Sequence, residues 1–172
     1  MEWGVGVITI IKHLLILCAW LSAENAPRDA WTVWTVVDAA HRIAPEYDLD
    51  PALLLAVSEV ESTWSRTAGC DHDGRGCGLY QQVPASSQRW GDDCWQGPTY
   101  VCAWRNGEGV TREELVDVYR ATEVAARHLS YLRDRYPDAW IGAYNRGPRR
   151  RADEAGRSYT ERVERVYRRL SR

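Results

Sequence analysis

Apolar positions along the chain alternate between stretches with a helical period and stretches with none. From Ala30 to Tyr47, "AWTVWTVVDAAHRIAPEY" repeats apolar residues every three or four positions. That spacing predicts an amphipathic helix with Trp34, Val37 and Ile43 turned inward. Asp50 followed by Pro51 reads as the start of the next helix, a side-chain cap and then a proline at the first helical position. The segment beyond it, "ALLLAVSEVESTW", has the composition of a buried helix, yet carries Glu59 and Glu61. At about 100° per residue, Glu61 falls inside the apolar arc, between Leu54 and Val57. Glu59 falls on the opposite side with Leu55 and Ser62. Glu59 is therefore expected in solvent and Glu61 under cover.

The period is lost from 65 to 78, a stretch rich in Gly, Asp and Cys that predicts a loop, with a short helix starting near Gly78 or Pro84. Residues 88 to 110 hold Trp90, Trp95, Trp104, Cys94 and Cys102 among glycines, and predict a second loop. "TREE" at 111 to 114 has the form of a capping box, so a helix is expected from there to about Arg135, burying Leu115, Val118, Leu129 and Leu132. Pro137 ends it. A short apolar helix follows around Trp140 to Tyr144. The last, at about 158 to 170, places Tyr159, Val163, Val166, Tyr167 and Leu170 on one face. Strand signals are nearly absent, which predicts a mainly helical single domain.

The 172 residues suffice for one compact domain, and a net charge of −2 points to neither nucleic acid nor a membrane surface. Basic residues are lopsided. Lys12 is the only lysine, and ten arginines lie between Arg146 and Arg172 against four acids. Most of these read as a solvated helix face. The apolar run "LLILCAWL" at 14 to 21, preceded by Lys12 and His13, reads as a secretory signal over residues 1–23, leaving 24–172 as the mature domain. Its rival, a membrane anchor, needs a longer uninterrupted run. Loss of the leader removes Cys18 and leaves Cys70, Cys77, Cys94 and Cys102, an even number in an exported chain. Two disulfides are expected, with three connectivities open; pairing Cys70–Cys77 and Cys94–Cys102 closes the two shortest loops. Zinc held by Cys70, His72 and Cys77 is the alternative, but that spacing fits no common finger. "DHDGRG" at 71 to 76 fails as a calcium loop because Gln82 stands where the bidentate glutamate is needed. No metal and no cofactor is expected.

A carboxylate on an apolar helix face tends to keep its proton, which makes it a candidate general acid. Glycosidic cleavage needs such an acid, because a sugar alkoxide leaves poorly unless it is protonated as the bond breaks. An arginine paired with Glu61 beneath the helix is the plain alternative.

Four ordered stretches narrow the choice: "LDPALLLAVSEVESTW", "GCGLYQQVP", "AYNRG" and "SYTERV". Together they resemble the catalytic domain of the soluble lytic transglycosylases, of the lysozyme-like superfamily, over about Val36 to Leu170. The resemblance implies helices around a catalytic cleft and a substrate in the glycan strands of bacterial peptidoglycan. It makes Glu61 the sole catalytic acid and base, with Ser62 orienting it and contacting substrate. Gln81 would bind the sugar beside the scissile bond, and Tyr144 and Asn145 would line the site. Tyr159 would reach toward the glutamate. Tyr80 stands where the family usually has methionine. Core packing is the competing role for Tyr144 and Tyr159, and both roles fit a buried ring with its hydroxyl at the site.

Two carboxylates normally flank a glycosidic bond during hydrolysis, whereas here Asp71, Asp73, Asp92 and Asp93 all lie in loops. The resemblance implies instead that the substrate's N-acetyl group steadies the cationic centre and its 6-hydroxyl attacks intramolecularly, giving a 1,6-anhydro-muramyl end. A muramidase on the same fold and a glycan-binding module without turnover are the rivals. The expected location is periplasmic or extracellular. The small size suggests a monomer that opens the wall locally, as for a secretion, conjugation or phage apparatus. Trp90, Trp95 and Trp104 are candidates for stacking on sugars, or for anchoring their loop.

Overall fold

In the computed structural model the described residues are Ile11, 30–64, 76–82, 112–147 and 149–172. The rest of the leader, the four loop aspartates, Trp90, Trp95, Trp104, Cys70, Cys94, Cys102, Pro84 and Thr111 lie outside them. Six α-helices and one 3-10 turn account for most of the described chain: α1 Ala30–Ile43, the 3-10 turn Ala44–Tyr47, α2 Pro51–Ser62, α3 Arg112–Val116, α4 Val118–Arg135, α5 Trp140–Arg146 and α6 Glu154–Leu170. No strand occurs among the described residues; a lone antiparallel bridge joins Cys77 and Gln82. The fold is mainly helical, as the periodicity predicts.

Helix α2 is the centre of the domain and packs against α1, α4 and α6. Asp50 caps it as expected, its Oδ1 accepting from the Ala52 N–H at 2.9 Å, with Pro51 in the first turn. Every residue from Ala52 to Glu59 is buried. The expectation of a solvated Glu59 is therefore wrong: it is 8 % exposed, and Leu55 beside it is fully enclosed. A helical wheel assumes one wet side, and helices on several faces leave this segment none. Thr63 and Trp64, at φ of 52° and 55°, end α2 in the left-handed region. That turn folds Trp64 back under the helix, where its indole N–H donates to the Leu55 carbonyl at 2.9 Å.

Trp34 also departs from expectation, being 41 % exposed on α1 while Val33, Val36 and Val37 fill the core. The pattern offers more apolar residues than one face holds, and the smaller valines occupy the inner stripe. The helix predicted to run unbroken from 111 to 135 is interrupted at Asp117. Its side chain accepts from the Arg120 N–H at 2.9 Å and so starts α4 afresh. Leu115, Val118, Leu129 and Leu132 are all buried as predicted. Helix α6 begins four residues earlier than predicted, because Asp153 caps it through the Gly156 N–H at 2.8 Å.

Helices α5 and α6 meet around one backbone carbonyl. A Cβ on Gly142 would lie 2.2 Å from the Arg151 oxygen, and one on Gly156 would lie 2.3 Å from it. Both distances are far inside van der Waals contact, so only glycine fits at either position. This approach fixes α5, and with it Tyr144, against α6 and Tyr159.

No helix begins at Gly78. Residues 77 to 82 instead form a tight turn closed by two backbone hydrogen bonds between Cys77 and Gln82, at 2.8 and 3.0 Å. Gly78 has φ +69°, and a Cβ there would meet the Leu115 oxygen at 1.6 Å, so the turn is seated directly on α3. Cys77 is buried and disulfide-bonded; its partner, and the pairings expected above, lie outside the described residues.

Candidate active site

Glu61 and Ser62 occupy the last turn of α2, Tyr144 lies in α5 and Tyr159 near the start of α6, while the 77–82 turn packs between them. Glu61 is half-buried. Burial raises its pKa above the ordinary carboxylate value, opposed by a hydrogen bond from Tyr159 and by the positive charge of Arg162. The Tyr159 hydroxyl donates to Glu61 Oε1 at 2.6 Å. Its ring is 1 % exposed, and burial, reinforced by nearby Glu61 and Tyr144, holds its own ionisation well above the usual phenol range. Tyr159 therefore stays protonated and acts on Glu61 as a donor. Arg162 lies with its guanidinium carbon 5.6 Å from the Tyr159 ring centroid. It influences Glu61 without forming an ion pair, which sets aside the paired-arginine alternative among the described residues.

Ser62 makes different contacts from those expected. Its hydroxyl sits 2.8 Å from the Leu79 carbonyl and 3.1 Å from that of Ser58. It ties the 77–82 turn to the end of α2 and makes no hydrogen bond to Glu61. Gln81, at φ 46°, folds back on its own turn, with Nε2 donating to the Gly78 carbonyl at 2.9 Å. Tyr144 is better placed: its hydroxyl donates to the Tyr80 carbonyl at 2.9 Å and accepts from Gln82 Nε2 at 3.1 Å. Asn145 is exposed one position further along α5, and no hydrogen bond joins it to the group around Glu61.

Tyr80 is fully buried. Its hydroxyl lies beside those of Thr122 and Ser58, whose own hydrogens go to the Val118 and Leu55 carbonyls, and it makes no well-formed hydrogen bond. Burial pushes its ionisation upward. The aromatic ring thus occupies the core while its backbone serves the site. His128 lies behind Tyr144 with ring centroids 5.0 Å apart, and burial lowers its pKa to about 3, so the imidazole is neutral.

Sequence patterning singled out neither His128 nor Gln82 as part of this group. Two adjacent glutamines carry no signal for which one points inward, and only the Cys77–Gln82 bridge decides it. Among the described residues no cluster of His, Cys, Asp or Glu is placed to hold a metal ion. Two open grooves, of about 440 and 480 Å³, lie away from Glu61; Trp34 and Tyr119 line one, Trp140 and Tyr167 the other.

The whole arrangement, a half-buried glutamate closing one helix and a phenol from the last helix reaching it, falls within the span of one family match. The family model described as the transglycosylase SLT domain matches residues 38–166. No curated protein and no solved structure matches the chain. The match runs from within α1 to within α6 and takes in Glu61, Gln81, Tyr144 and Tyr159, so the chain belongs to the transglycosylase SLT domain family.

Proposed function

We propose that this protein is a peptidoglycan lytic transglycosylase acting outside the cytoplasm, with Glu61 as acid and then base. The observation that carries this reading is the 2.6 Å hydrogen bond from Tyr159 to Glu61 Oε1, combined with burial that raises the Glu61 pKa. A carboxyl so placed keeps its proton at a pH where an ordinary glutamate has lost it. Tyr159 occupies one oxygen, leaving the other to carry the proton toward substrate.

Glu61 gives its proton to the glycosidic oxygen between MurNAc and GlcNAc as the C1–O bond breaks. The substrate's N-acetyl group steadies the positive charge at C1. Glu61, now a carboxylate stabilised by Tyr159 and Arg162, takes the proton of the same sugar's 6-hydroxyl, whose oxygen bonds to C1. The acid is thereby restored and the product carries a 1,6-anhydro ring. An intramolecular hydroxyl needs no second carboxylate to hold a water, and its proximity gives it a large effective concentration over solvent. In this scheme Gln81 and Asn145 contact the glycan, while Ser62 and Tyr144 hold the turn against the catalytic helix. Export through the 1–23 leader places the enzyme with its substrate.

The test is the mass of fragments released from purified peptidoglycan by wild type and Glu61→Gln. Anhydro-ended muropeptides, lighter by one water than hydrolysis products and absent with Glu61→Gln, are expected. Fragments with ordinary reducing ends identify a muramidase, and wall binding without fragments identifies a non-catalytic module.

A further inference from the structure

Arg162 lies three positions beyond Tyr159 on α6, and residues so spaced are neighbours on one helix face. The inner stripe of that helix runs through Tyr159, Val163 and Val166, all buried, while Arg162 stands at its edge and is exposed. Its guanidinium carbon is 5.6 Å from the Tyr159 ring centroid, a range at which a cation is drawn to an aromatic face. The hydroxyl of the same tyrosine donates to Glu61 at 2.6 Å. One side chain therefore steadies the acid through its hydroxyl and the cation through its ring. The positive charge of Arg162 lowers the pKa of Glu61 and of Tyr159 alike, which puts it on the Glu61 side of α6.

Other arginines nearby are tied to the protein. Arg146 and Arg150 pair with Asp153, Arg168 pairs with Glu164, and Arg157 donates to the Ala152 carbonyl. Among the described residues no ion pair and no hydrogen bond engages the Arg162 guanidinium. Its planar fork of N–H donors matches the two oxygens of a carboxylate. Of the two sugars in the proposed substrate, only MurNAc offers one. Its 3-oxygen bears a lactyl group whose carboxyl is either free or extended by a peptide with carboxylates of its own. In the proposed reaction the bond broken is at C1 of MurNAc, so this substituent arrives on the sugar that reacts.

We infer that Arg162 is a specificity residue of this site: its guanidinium binds the carboxylate borne by the muramyl side chain and so favours MurNAc over an uncharged N-acetyl sugar beside Glu61. The inference rests on the Glu61-dependent cleavage proposed above and names the charged part of that same substrate. The contact forms on binding and persists through the reaction, so its loss is read mainly in KM.

The experiment measures kcat and KM for wild type, Arg162→Gln and Arg162→Lys on soluble glycan strands with peptide stems and on strands stripped of stems. Each strand is used as prepared and after conversion of its carboxylates to methylamides. Masking is expected to lower wild-type kcat/KM by about tenfold, mainly through KM, the worth of one charged hydrogen-bonded contact. Arg162→Gln is expected to begin about tenfold lower on the charged strands and to change less than about twofold on masking. Arg162→Lys, which keeps the charge without the fork, falls between them. Any change in kcat that arises through Glu61 is common to charged and masked strands and cancels in their ratio. A wild-type fall confined to stemmed strands assigns the carboxylate to the peptide, and a fall on stripped strands assigns it to the lactyl group. A wild type indifferent to masking, or an Arg162→Gln that discriminates as wild type does, overturns the inference; the wild-type comparison stands without any variant. A wild type with no Glu61-dependent cleavage of any strand overturns the functional reading and this inference together, whereas an active enzyme with either of those results overturns the inference alone.

Discussion

Tyr159 and Glu61, 98 positions apart in the chain, meet through a 2.6 Å hydrogen bond that joins the start of the last helix to the end of the central one. A second bond of the same kind lies at the other end of this helix pair, where the Tyr167 hydroxyl donates to Asp50 Oδ2 at 2.8 Å. The two helices run antiparallel, and each tyrosine of α6 finds a carboxylate of the α2 segment.

Removal of the first bond has a defined consequence for pH dependence. The Tyr159 hydroxyl stabilises the charged form of Glu61 and so lowers a pKa that burial has raised. Tyr159→Phe takes away the lowering contribution, and the pKa rises further. In the proposed reaction Glu61 must be protonated to act as acid, so activity is expected to fall as pH rises through that pKa. The alkaline limb of the pH–rate profile is therefore expected to move to higher pH, with kcat lower by about tenfold as the carboxylate loses its orienting partner. A limb that stays in place or moves toward acid contradicts the assignment.

The same glutamate makes a prediction about stability. Its folded pKa lies above its unfolded one, so the native state binds the proton more tightly. Stability is fullest below the ordinary carboxylate pKa and declines as pH rises to the raised folded value. Glu61→Gln, neutral throughout, avoids that decline. The variant is expected to melt above wild type at neutral pH, with the gap closing in acid; thermal melts across pH check this.

The buried Tyr80 hydroxyl contributes little by its own bonding, since Thr122 and Ser58 give their hydrogens elsewhere. Tyr80→Phe is expected to leave stability unchanged or raise it by up to about 1 kcal/mol in urea unfolding. A loss beyond about 1 kcal/mol reveals a hydroxyl bond of real strength.

Gly156→Ala places a methyl group 2.3 Å from the Arg151 carbonyl, a backbone atom held between two helices. A cost of about 3 kcal/mol is expected in the same measurement, above the usual penalty for one added methyl because the obstacle is not a flexible side chain. Activity should fall with it, since α5 and α6 carry Tyr144 and Tyr159.

Ser62→Ala unties the turn from the end of α2 by removing a 2.8 Å bond to the Leu79 carbonyl. It is expected to cost about 1 kcal/mol of stability and to lower kcat severalfold, while Ser62→Thr, which keeps the hydroxyl, retains most of both.

What the sequence made legible was local. The Asp50–Pro51 start, the inward leucines of α4 and the inner face of α6 each follow from residues within a few positions of one another. The partial burial of Glu61 was legible for the same reason, as a carboxylate inside an apolar arc, although Glu59 lies deeper. Glu59 was not, because its burial depends on helices whose packing the arc does not contain. The break at Asp117 competes with a strong helical period, and side-chain capping of α4 wins. The Tyr144–Gln82–Tyr80 network joins positions more than sixty residues apart. Its sense depends on where a hydrogen points, which no spacing encodes. Gly142 and Gly156 read as ordinary helical residues until a shared carbonyl explains both.

Under the proposed function, the two tyrosine–carboxylate bonds also bear on when cutting power appears during synthesis. The acid emerges early, on the central helix, while the phenol that completes it arrives only with the final one. A nascent chain stopped short of Tyr159 holds a glutamate without its donor and without α6 packed beside it. The blade is made first and the edge is set last.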